Sequence, residues 1–198
     1  MIIHTFPQRT EEWYKVKRGK FSPSNFNKLK MSPSTQGYND LINQIVYERL
    51  TGKSVEHYVT PDMERGTELE PEARESYEME TFNKVKEIGC YELDEWVCCS
   101  PDGIIGEDGM LEIKCPKWNT HLSYKLNGGI PDNYVWQMQG QMLIADKKWV
   151  DFYSYHPELE PHLFRFERDD KITTQIRQKL DKAIQEVQNR ITKLKEKQ

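Results

Sequence analysis

The chain has 198 residues, which fits a single domain, and 30% of its residues are charged, which predicts a heavily solvated surface. The net charge of −4 argues against a generally basic nucleic-acid-binding surface, and the acidic surplus is concentrated in residues 61–112, with 16 acidic and 4 basic side chains. No apolar run approaches the ~18 residues of a membrane span, and the first residues carry no signal-peptide pattern. We therefore expect a soluble, cytoplasmic protein without a membrane partner.

Three helices are predicted in the first part of the chain. Residues 9–19 form the first one, with Thr10 as its N-cap. Apolar residues at helical spacing predict a second helix over residues 38–51. A third begins at Thr60-Pro61-Asp62, where a capping residue precedes a proline and an acid, and it runs to about residue 82.

Cations and hydroxyl groups are concentrated around the turn that follows the first helix. The turn is Ser22-Pro23-Ser24, and four basic residues precede it: Lys15, Lys17, Arg18 and Lys20. Together, such groups can hold a phosphate. A solvated helix face is the plainer interpretation of a charge run, and the residues alone leave both open.

Residues 84–116 are predicted to form three strands, at about 85–93, 96–101 and 110–115. The segment between the last two is rich in turn residues, and Asp108-Gly109 is the expected tight turn of a hairpin. The spacing of the four cysteines fits no zinc or iron–sulfur pattern. We expect all four to be reduced, buried thiols.

The predicted hairpin would bring Asp102 beside Glu112, with Lys114 on the same face as Glu112 because residues two apart in a strand share a face. Two close carboxylates repel unless a proton or a cation lies between them, and hard oxygen ligands suit Mg²⁺ or Mn²⁺. The carbonyl of Ile113 can face the same cation, and Ser100 can donate a hydrogen bond to a phosphate. A plain hairpin with an exposed Glu–Lys pair is the alternative for so short a pattern.

The last part of the chain is predicted to add helices and a strand pair. Residues 118–129 are a helix or a loop, and the helix that begins at Pro131-Asp132 carries Gln137 and Gln141 along one edge, apart from its apolar face.

Residues 149–155 and 162–168 alternate as two strands that pair with each other. The final helix runs from Asp169 to about residue 195, and its apolar stripe needs a partner, either the sheet or another subunit.

Four blocks of the sequence resemble a known family. The string SPDG–LEIKCP resembles the PD-(D/E)xK nuclease signature, specifically that of the phage lambda exonuclease family, the YqaJ-like viral recombinases. QRTEEWYKVKRGKFSPS is similar to the family's N-terminal block. MERGTELEPEAR is similar to a helix that places the family's acidic residue on Glu70, and YVWQMQGQM to a helix that places a functional glutamine on Gln139. In order, the blocks extend from about residue 8 to residue 155.

The resemblance implies a restriction-endonuclease-like α/β fold, with a mixed central sheet flanked by helices and a single nuclease domain over residues 1–198. It implies Mg²⁺-dependent digestion of one strand at double-stranded DNA ends, from 5′ to 3′. The 3′ overhang would pass to a single-strand annealing protein, and the enzyme would be a ring-shaped homotrimer. A PD-(D/E)xK endonuclease or nickase is one alternative, and a catalytically silent DNA-end-binding scaffold is another.

The resemblance also assigns roles to residues in the catalytic site. Asp102 and Glu112 would bind the metal with the Ile113 carbonyl, and Glu70 would help to position a metal or a water. Lys114 would activate the water, and Gln139 would orient either the water or Lys114. The full set is Glu70, Asp102, Glu112, Ile113, Lys114 and Gln139.

A second set would hold the terminal 5′ phosphate or the scissile strand: Lys17, Ser24 and Ser100. The family's arginine is matched here by Lys17, with Arg18 adjacent. Because lysine lacks the bidentate fork of arginine, the choice between Lys17 and Arg18 stays open.

Overall fold

The computed structural model describes residues 1–55 and 59–196. The α-helices of these residues are α1 Glu11–Lys17, α2 Phe26–Lys30, α3 Gln36–Thr51, α4 Pro61–Thr81, α5 Trp118–Asn127, α6 Asp132–Ala145 and α7 Asp170–Lys195. A short 3-10 helix, Pro23–Asn25, leads into α2.

The strands of the described residues form two sheets. They are β1 Ile2–His4, β2 Val85–Lys86, β3 Cys90–Glu92, β4 Cys98–Cys99, β5 Gly103–Ile105, β6 Gly109–Lys114, β7 Trp149–His156 and β8 Leu159–Glu167. The smaller sheet has the order β1-β3-β4 and the larger one the order β2-β5-β6-β7-β8. In the larger sheet β6 and β7 are parallel and the other neighbours antiparallel. This confirms the expected mixed sheet with flanking helices and a long C-terminal helix, whereas the single domain over residues 1–198 stays a prediction.

The helices begin and end where the local signals indicate. The Thr10 side chain accepts a hydrogen bond from the N–H of Trp13, and Thr60 caps α4 in the same way. Asp169 caps α7, and Gly52 ends α3 in the left-handed conformation. These are short-range effects, in which a side chain satisfies a free N–H or a glycine accepts a positive φ.

The strand prediction was too coarse around the hairpin. Residues 85–93 divide into β2 and β3, and the β5–β6 hairpin turns through residues 106–108, with Gly106 at a φ of +55°, so the tight turn expected at Asp108-Gly109 was wrong. Gly109 is the first residue of β6, and a Cβ added there would be 2.2 Å from the Trp149 ring. This glycine is therefore required for close packing between strands.

Successive side chains of β6 lie on opposite faces of the sheet and pack in two different cores. Leu111 and Ile113 pack with residues of α4, whereas Met110 belongs to the larger core that α3, α6 and α7 share. Glu112 and Lys114 lie on the Met110 face because of the two-residue period of a strand. The sheet therefore turns these two polar side chains toward the layer of α6.

The apolar stripe of α7 finds its partner within the chain. Ile176, Leu180, Ala183 and Val187 are buried in the core that α7 shares with α3 and α6. Burial of these residues thus requires no second subunit. Among the described residues, none of the helices combines the length and the apolar character needed to cross a membrane. The four cysteines are free and buried, as expected.

Candidate active site

The hairpin brings Asp102 to β6. Its Oδ2 accepts a hydrogen bond of 2.7 Å from the backbone N–H of Ile113, the residue after Glu112. The Asp102 carboxylate is therefore held next to Glu112, as the sequence predicted. Ile113 therefore contacts the site through its backbone N–H. The carbonyl that was expected to face the metal belongs to this same residue of β6.

Glu112 is a buried carboxylate with three side-chain donors. Only 2% of the residue is exposed, because α6 covers this face of β6. Gln137 Nε2 donates to Oε1 at 2.5 Å and Gln141 Nε2 to Oε2 at 2.5 Å, while the Lys114 ammonium also bonds to Oε1. Gln137 and Gln141 reach one carboxylate because residues four apart share a helix face.

The structure does not bring Gln139 to this cluster. Gln139 is fully buried on another side of α6, where its Nε2 donates to the Glu167 carbonyl at 2.8 Å and its Oε1 accepts from the Asp169 N–H at 2.9 Å. It joins the end of β8 to the start of α7. Gln139 is therefore separated from Glu112, whereas the glutamines two positions away on either side, about 200° around the helix, contact it.

Lys114 is a cation at the edge of the site. Burial lowers the pKa of its ammonium, but the charges of Glu112 and Asp102 outweigh burial, so that the pKa lies above its ordinary value. Its Nζ is also 5.1 Å from the centroid of the Tyr134 ring. In this arrangement Lys114 can donate hydrogen bonds to a water or to a phosphate oxygen.

Asp102 is the carboxylate that resists ionisation. Burial, followed by the nearby charge of Glu112, raises the pKa of Asp102 to about 8, and Glu70 contributes in the same direction. A divalent cation between the two carboxylates would remove this repulsion, and Mg²⁺ is commonly held by one or two carboxylates together with waters. Gln141 Oε1 is buried and accepts no hydrogen bond from the described residues, so an acceptor remains there for a bound water. These oxygen ligands fit Mg²⁺ or Mn²⁺.

Glu70 lies close to Asp102 but is held by two arginines. Arg9 Nη2 lies 2.8 Å from one oxygen and Arg74 Nη2 lies 2.9 Å from the other. Arg74 Nη2 is also 3.5 Å from the Asp102 carbonyl, and its Nη1 pairs with Glu87 at 3.2 Å. In residues 1–55 and 59–196 no group of three or more His, Cys, Asp or Glu side chains is arranged to hold a metal. The sequence reasoning missed both arginines, although Arg74 stands four residues after Glu70 on one helix face.

A cavity of about 100 Å³ lies beside the carboxylates. Its lining includes most of the residues expected to hold a phosphate, together with both glutamines that contact Glu112: Lys17, Ser22, Ser24, Ser100, Gln137 and Gln141. Lys17 Nζ lies 4.0 Å from the Trp13 ring, and the Trp13 indole N–H donates to Ser100 Oγ at 2.9 Å. Burial lowers the pKa of the Lys17 ammonium.

Arg18 does not line this cavity. Its Nε donates to Ser54 Oγ at 3.1 Å. The turn after α1 is fixed by the buried Glu48, whose carboxylate accepts from the Gly19 N–H at 2.7 Å. Of the two adjacent cations, Lys17 therefore lines the cavity and Arg18 lies outside it.

The family comparison agrees with this arrangement. Residues 12–148 match the model of the YqaJ-like viral recombinase domain, a segment that contains the hairpin, α4 and α6. The chain belongs to the YqaJ-like viral recombinase family. The resemblance found in the sequence is thus confirmed.

Solved structures show how much of this YqaJ-like chain is shared with relatives. The crystal structure of an alkaline exonuclease, LHK-Exo from Laribacter hongkongensis, is 34% identical with a TM-score of 0.88, and covers 95% of this chain and 97% of that chain. The structure of LHK-Exo in complex with dAMP is 33% identical with a TM-score of 0.89 and the same coverage. A phage related exonuclease from Haemophilus somnus 129PT is 15% identical with a TM-score of 0.72, covers 88% of this chain and 96% of that chain, and shares the fold alone. The comparison with curated proteins gave no match.

Proposed function

We propose that this chain is a divalent-cation-dependent exonuclease that digests one strand of linear duplex DNA from its 5′ end and leaves a 3′ overhang. The observation that carries the proposal is the environment of Glu112, which is buried beside Asp102 and bonded to Lys114, at a cavity lined by cationic and hydroxyl side chains. The similarity to LHK-Exo, an alkaline exonuclease whose structure with dAMP is known, supports the same activity.

Asp102, Glu112 and the Ile113 carbonyl would hold Mg²⁺ or Mn²⁺, and Glu70 would contribute through a water. When bound, such a cation lowers the pKa of a water and offsets negative charge on the phosphate. Arg9 and Arg74 hold the Glu70 carboxylate in place, so that its role is to orient a water rather than to bind the cation directly.

The chain's own residues would orient the reacting groups. Lys114, as an ammonium, donates a hydrogen bond to the attacking water or to a phosphate oxygen. Gln137 and Gln141 hold the Glu112 carboxylate from opposite oxygens. The resemblance assigned this orienting role to Gln139, whereas the contacts of Glu112 support Gln137 and Gln141.

The 5′ phosphate of the strand would enter the cavity beside Glu112. Lys17 supplies a cation there, and Ser24 and Ser100 supply hydroxyl groups. The cavity has a volume of about 100 Å³, and its lining offers one ammonium and three serine hydroxyl groups to a phosphate. A cavity that stops a strand at its terminal phosphate would favour ends over internal sites.

The family resemblance also supports a ring-shaped homotrimer that acts in the cytoplasm and passes its 3′ overhang to a single-strand annealing protein. A trimer would have a mass near three times the 23.5 kDa of the chain. Sedimentation equilibrium measures this directly, and a mass of one or two chains at micromolar concentration would contradict it.

One assay tests the proposed function. The purified protein is incubated with Mg²⁺ and either a linear 5′-phosphorylated duplex or a closed circular plasmid, with and without a chelator, and each strand end of the linear duplex is labelled separately. We expect loss of the linear substrate from its 5′ ends, an intact circle, and no cleavage with chelator. Cleavage of the circle would indicate an endonuclease or nickase, and no cleavage of either DNA would indicate a DNA-end-binding scaffold.

A further inference from the structure

A second, larger recess lies between α2, α6 and α7. It has a volume of about 300 Å³ and is lined by Lys30, Trp136, Gln175, Gln178, Lys179 and Lys182. None of these residues lines the cavity beside Glu112. The recess is therefore a separate surface, although Trp136 directly precedes Gln137 on α6.

The recess is cationic and lacks compensating acids. Its lining contains three lysines and no carboxylate, and in the described part of the chain Lys30, Lys179 and Lys182 form no ion pair. Most lysines on a solvated surface have acidic neighbours that moderate their charge. Three uncompensated ammonium groups around one concave surface give a local positive potential in a chain whose net charge is −4.

Trp136 contributes an aromatic surface to the recess. The residue is only 7% exposed, and it forms part of the recess wall. Lys30 Nζ lies 5.6 Å from the centroid of its ring. The wall of the recess therefore combines an ammonium group with an aromatic ring.

We propose that this recess binds the sugar–phosphate backbone of the DNA strand, outside the cavity that contains the reacting phosphate. Phosphodiester oxygens only accept hydrogen bonds, and the side chains that line the recess include three ammonium groups and the amides of Gln175 and Gln178. Its volume is at the lower end of the range for small-ligand sites, which corresponds to about one nucleotide. The choice of DNA as the source of the phosphates rests on the proposed function.

Protection of lysines from chemical acetylation tests the site without any requirement for activity. The full-length protein is acetylated briefly in chelator, with and without a 5′-phosphorylated oligonucleotide duplex that carries a single-stranded 3′ tail, and the modified lysines are quantified by mass spectrometry. We expect the DNA to protect Lys30, Lys179 and Lys182 several-fold. Lys171 and Lys193, exposed on α7 outside the recess, should react equally with and without DNA.

A matched pair of variants measures the contribution of the recess to binding. The first replaces Lys30, Lys179 and Lys182 with glutamine. The control replaces Lys171, Lys193 and Lys195 of α7 with glutamine, which changes the net charge by the same amount. At about 0.1 M salt, loss of three phosphate contacts should weaken DNA binding by roughly 10- to 100-fold, and the slope of log K against log salt should become less steep by about 2 to 3. The control should stay within about threefold of the unmodified protein.

The outcomes separate this proposal from the proposed function. A protein that binds and digests DNA while Lys30, Lys179 and Lys182 stay unprotected, with equal affinities for both triple variants, would overturn the recess as a DNA site and leave the exonuclease intact. If the protein binds no DNA at all, both the proposed function and the proposal for the recess are wrong. Protection without DNA that increases with protein concentration would assign the recess to contact between copies of the chain, and would also overturn the proposal.

Discussion

The Glu112 carboxylate is buried and accepts hydrogen bonds from three side chains. A carboxylate on the solvated face of an ordinary strand has neither property. Gln137, Gln141 and Lys114 would hold the charge in place even before a cation binds. Replacement by glutamine, Glu112→Gln, keeps the shape but removes the charge, and a neutral amide is a poor ligand for a hard dication. We expect the variant to bind Mg²⁺ more than about tenfold more weakly in calorimetric titration and to lose nearly all hydrolysis. Normal Mg²⁺ affinity would show that Glu112 is not a ligand.

The three glutamines of α6 provide a comparison at the same scale. Gln137→Leu and Gln141→Leu each remove a hydrogen-bond donor from the Glu112 carboxylate, so cation affinity or activity should fall about 10- to 100-fold. Gln139→Leu leaves the Glu167 carbonyl and the Asp169 N–H unpaired, so it should destabilise the fold by roughly 1–3 kcal/mol without changing the Mg²⁺ requirement. Urea unfolding and Mg²⁺ titration of the three variants measure both quantities. A selective loss of activity in Gln139→Leu would restore its original assignment.

Asp102 makes a pH dependence testable. Its raised pKa, about 8, means that the folded protein without cation holds a proton that the unfolded chain releases near pH 4. Because the folded state binds more protons over that interval, this group makes stability fall as the pH rises from about 4 to 8. Mg²⁺ binds the deprotonated carboxylate, so the rise in Tm that Mg²⁺ causes should be larger at pH 8 than at pH 6. Asp102→Asn should abolish the difference, and an equal rise at both pH values in the unmodified protein would contradict it.

Part of this arrangement of residues could be predicted from the sequence. Asp102, Glu112 and Lys114 were predicted because strand alternation and a turn-rich segment imply that they meet. Gln137 and Gln141 were already distinguished by helical periodicity, which placed them on one edge, and that signal identified the contacts of Glu112 better than the family pattern did. Arg9 could not have been predicted, because its contact with Glu70 joins residues 61 positions apart.

At the scale of elements, the end of α1 separates two adjacent cations. Lys17→Ala removes the ammonium from the cavity beside Glu112, and Arg18→Ala removes a side chain that contacts Ser54 outside it. We expect Lys17→Ala to abolish the preference for 5′-phosphorylated over 5′-hydroxyl duplex ends, with Arg18→Ala unchanged within about threefold. The ratio of the two digestion rates measures this preference. A loss caused by Arg18→Ala alone would assign the 5′ phosphate to the other cation.

Helices and strands differed in how far they could be predicted. Helix limits depend on nearby groups such as Thr10, Thr60 and Gly52, so they were placed within about two residues. The short strands around the hairpin depend on which distant strand pairs with them. The role of Gly109 is an example, since it is set by the Trp149 ring on a strand 40 residues later.

For the whole molecule, the mixed sheet follows from the order of elements, because α5 and α6 connect β6 to its parallel neighbour β7. Periodicity also revealed the stripe of α7 but not its partner, and the structure shows that the chain's own helices cover it. A ring of three chains therefore requires other surfaces than this stripe.

The most direct measurement compares hydrolysis and DNA binding in Lys114→Ala. The variant keeps Asp102 and Glu112 but lacks the ammonium next to them, so binding of a 5′-phosphorylated duplex should stay within about threefold by fluorescence anisotropy. Its single-turnover rate of nucleotide release with saturating Mg²⁺ should fall at least about 100-fold. Hydrolysis within tenfold of the unmodified rate, at equal DNA occupancy, would contradict the assignment of this hairpin as the catalytic centre.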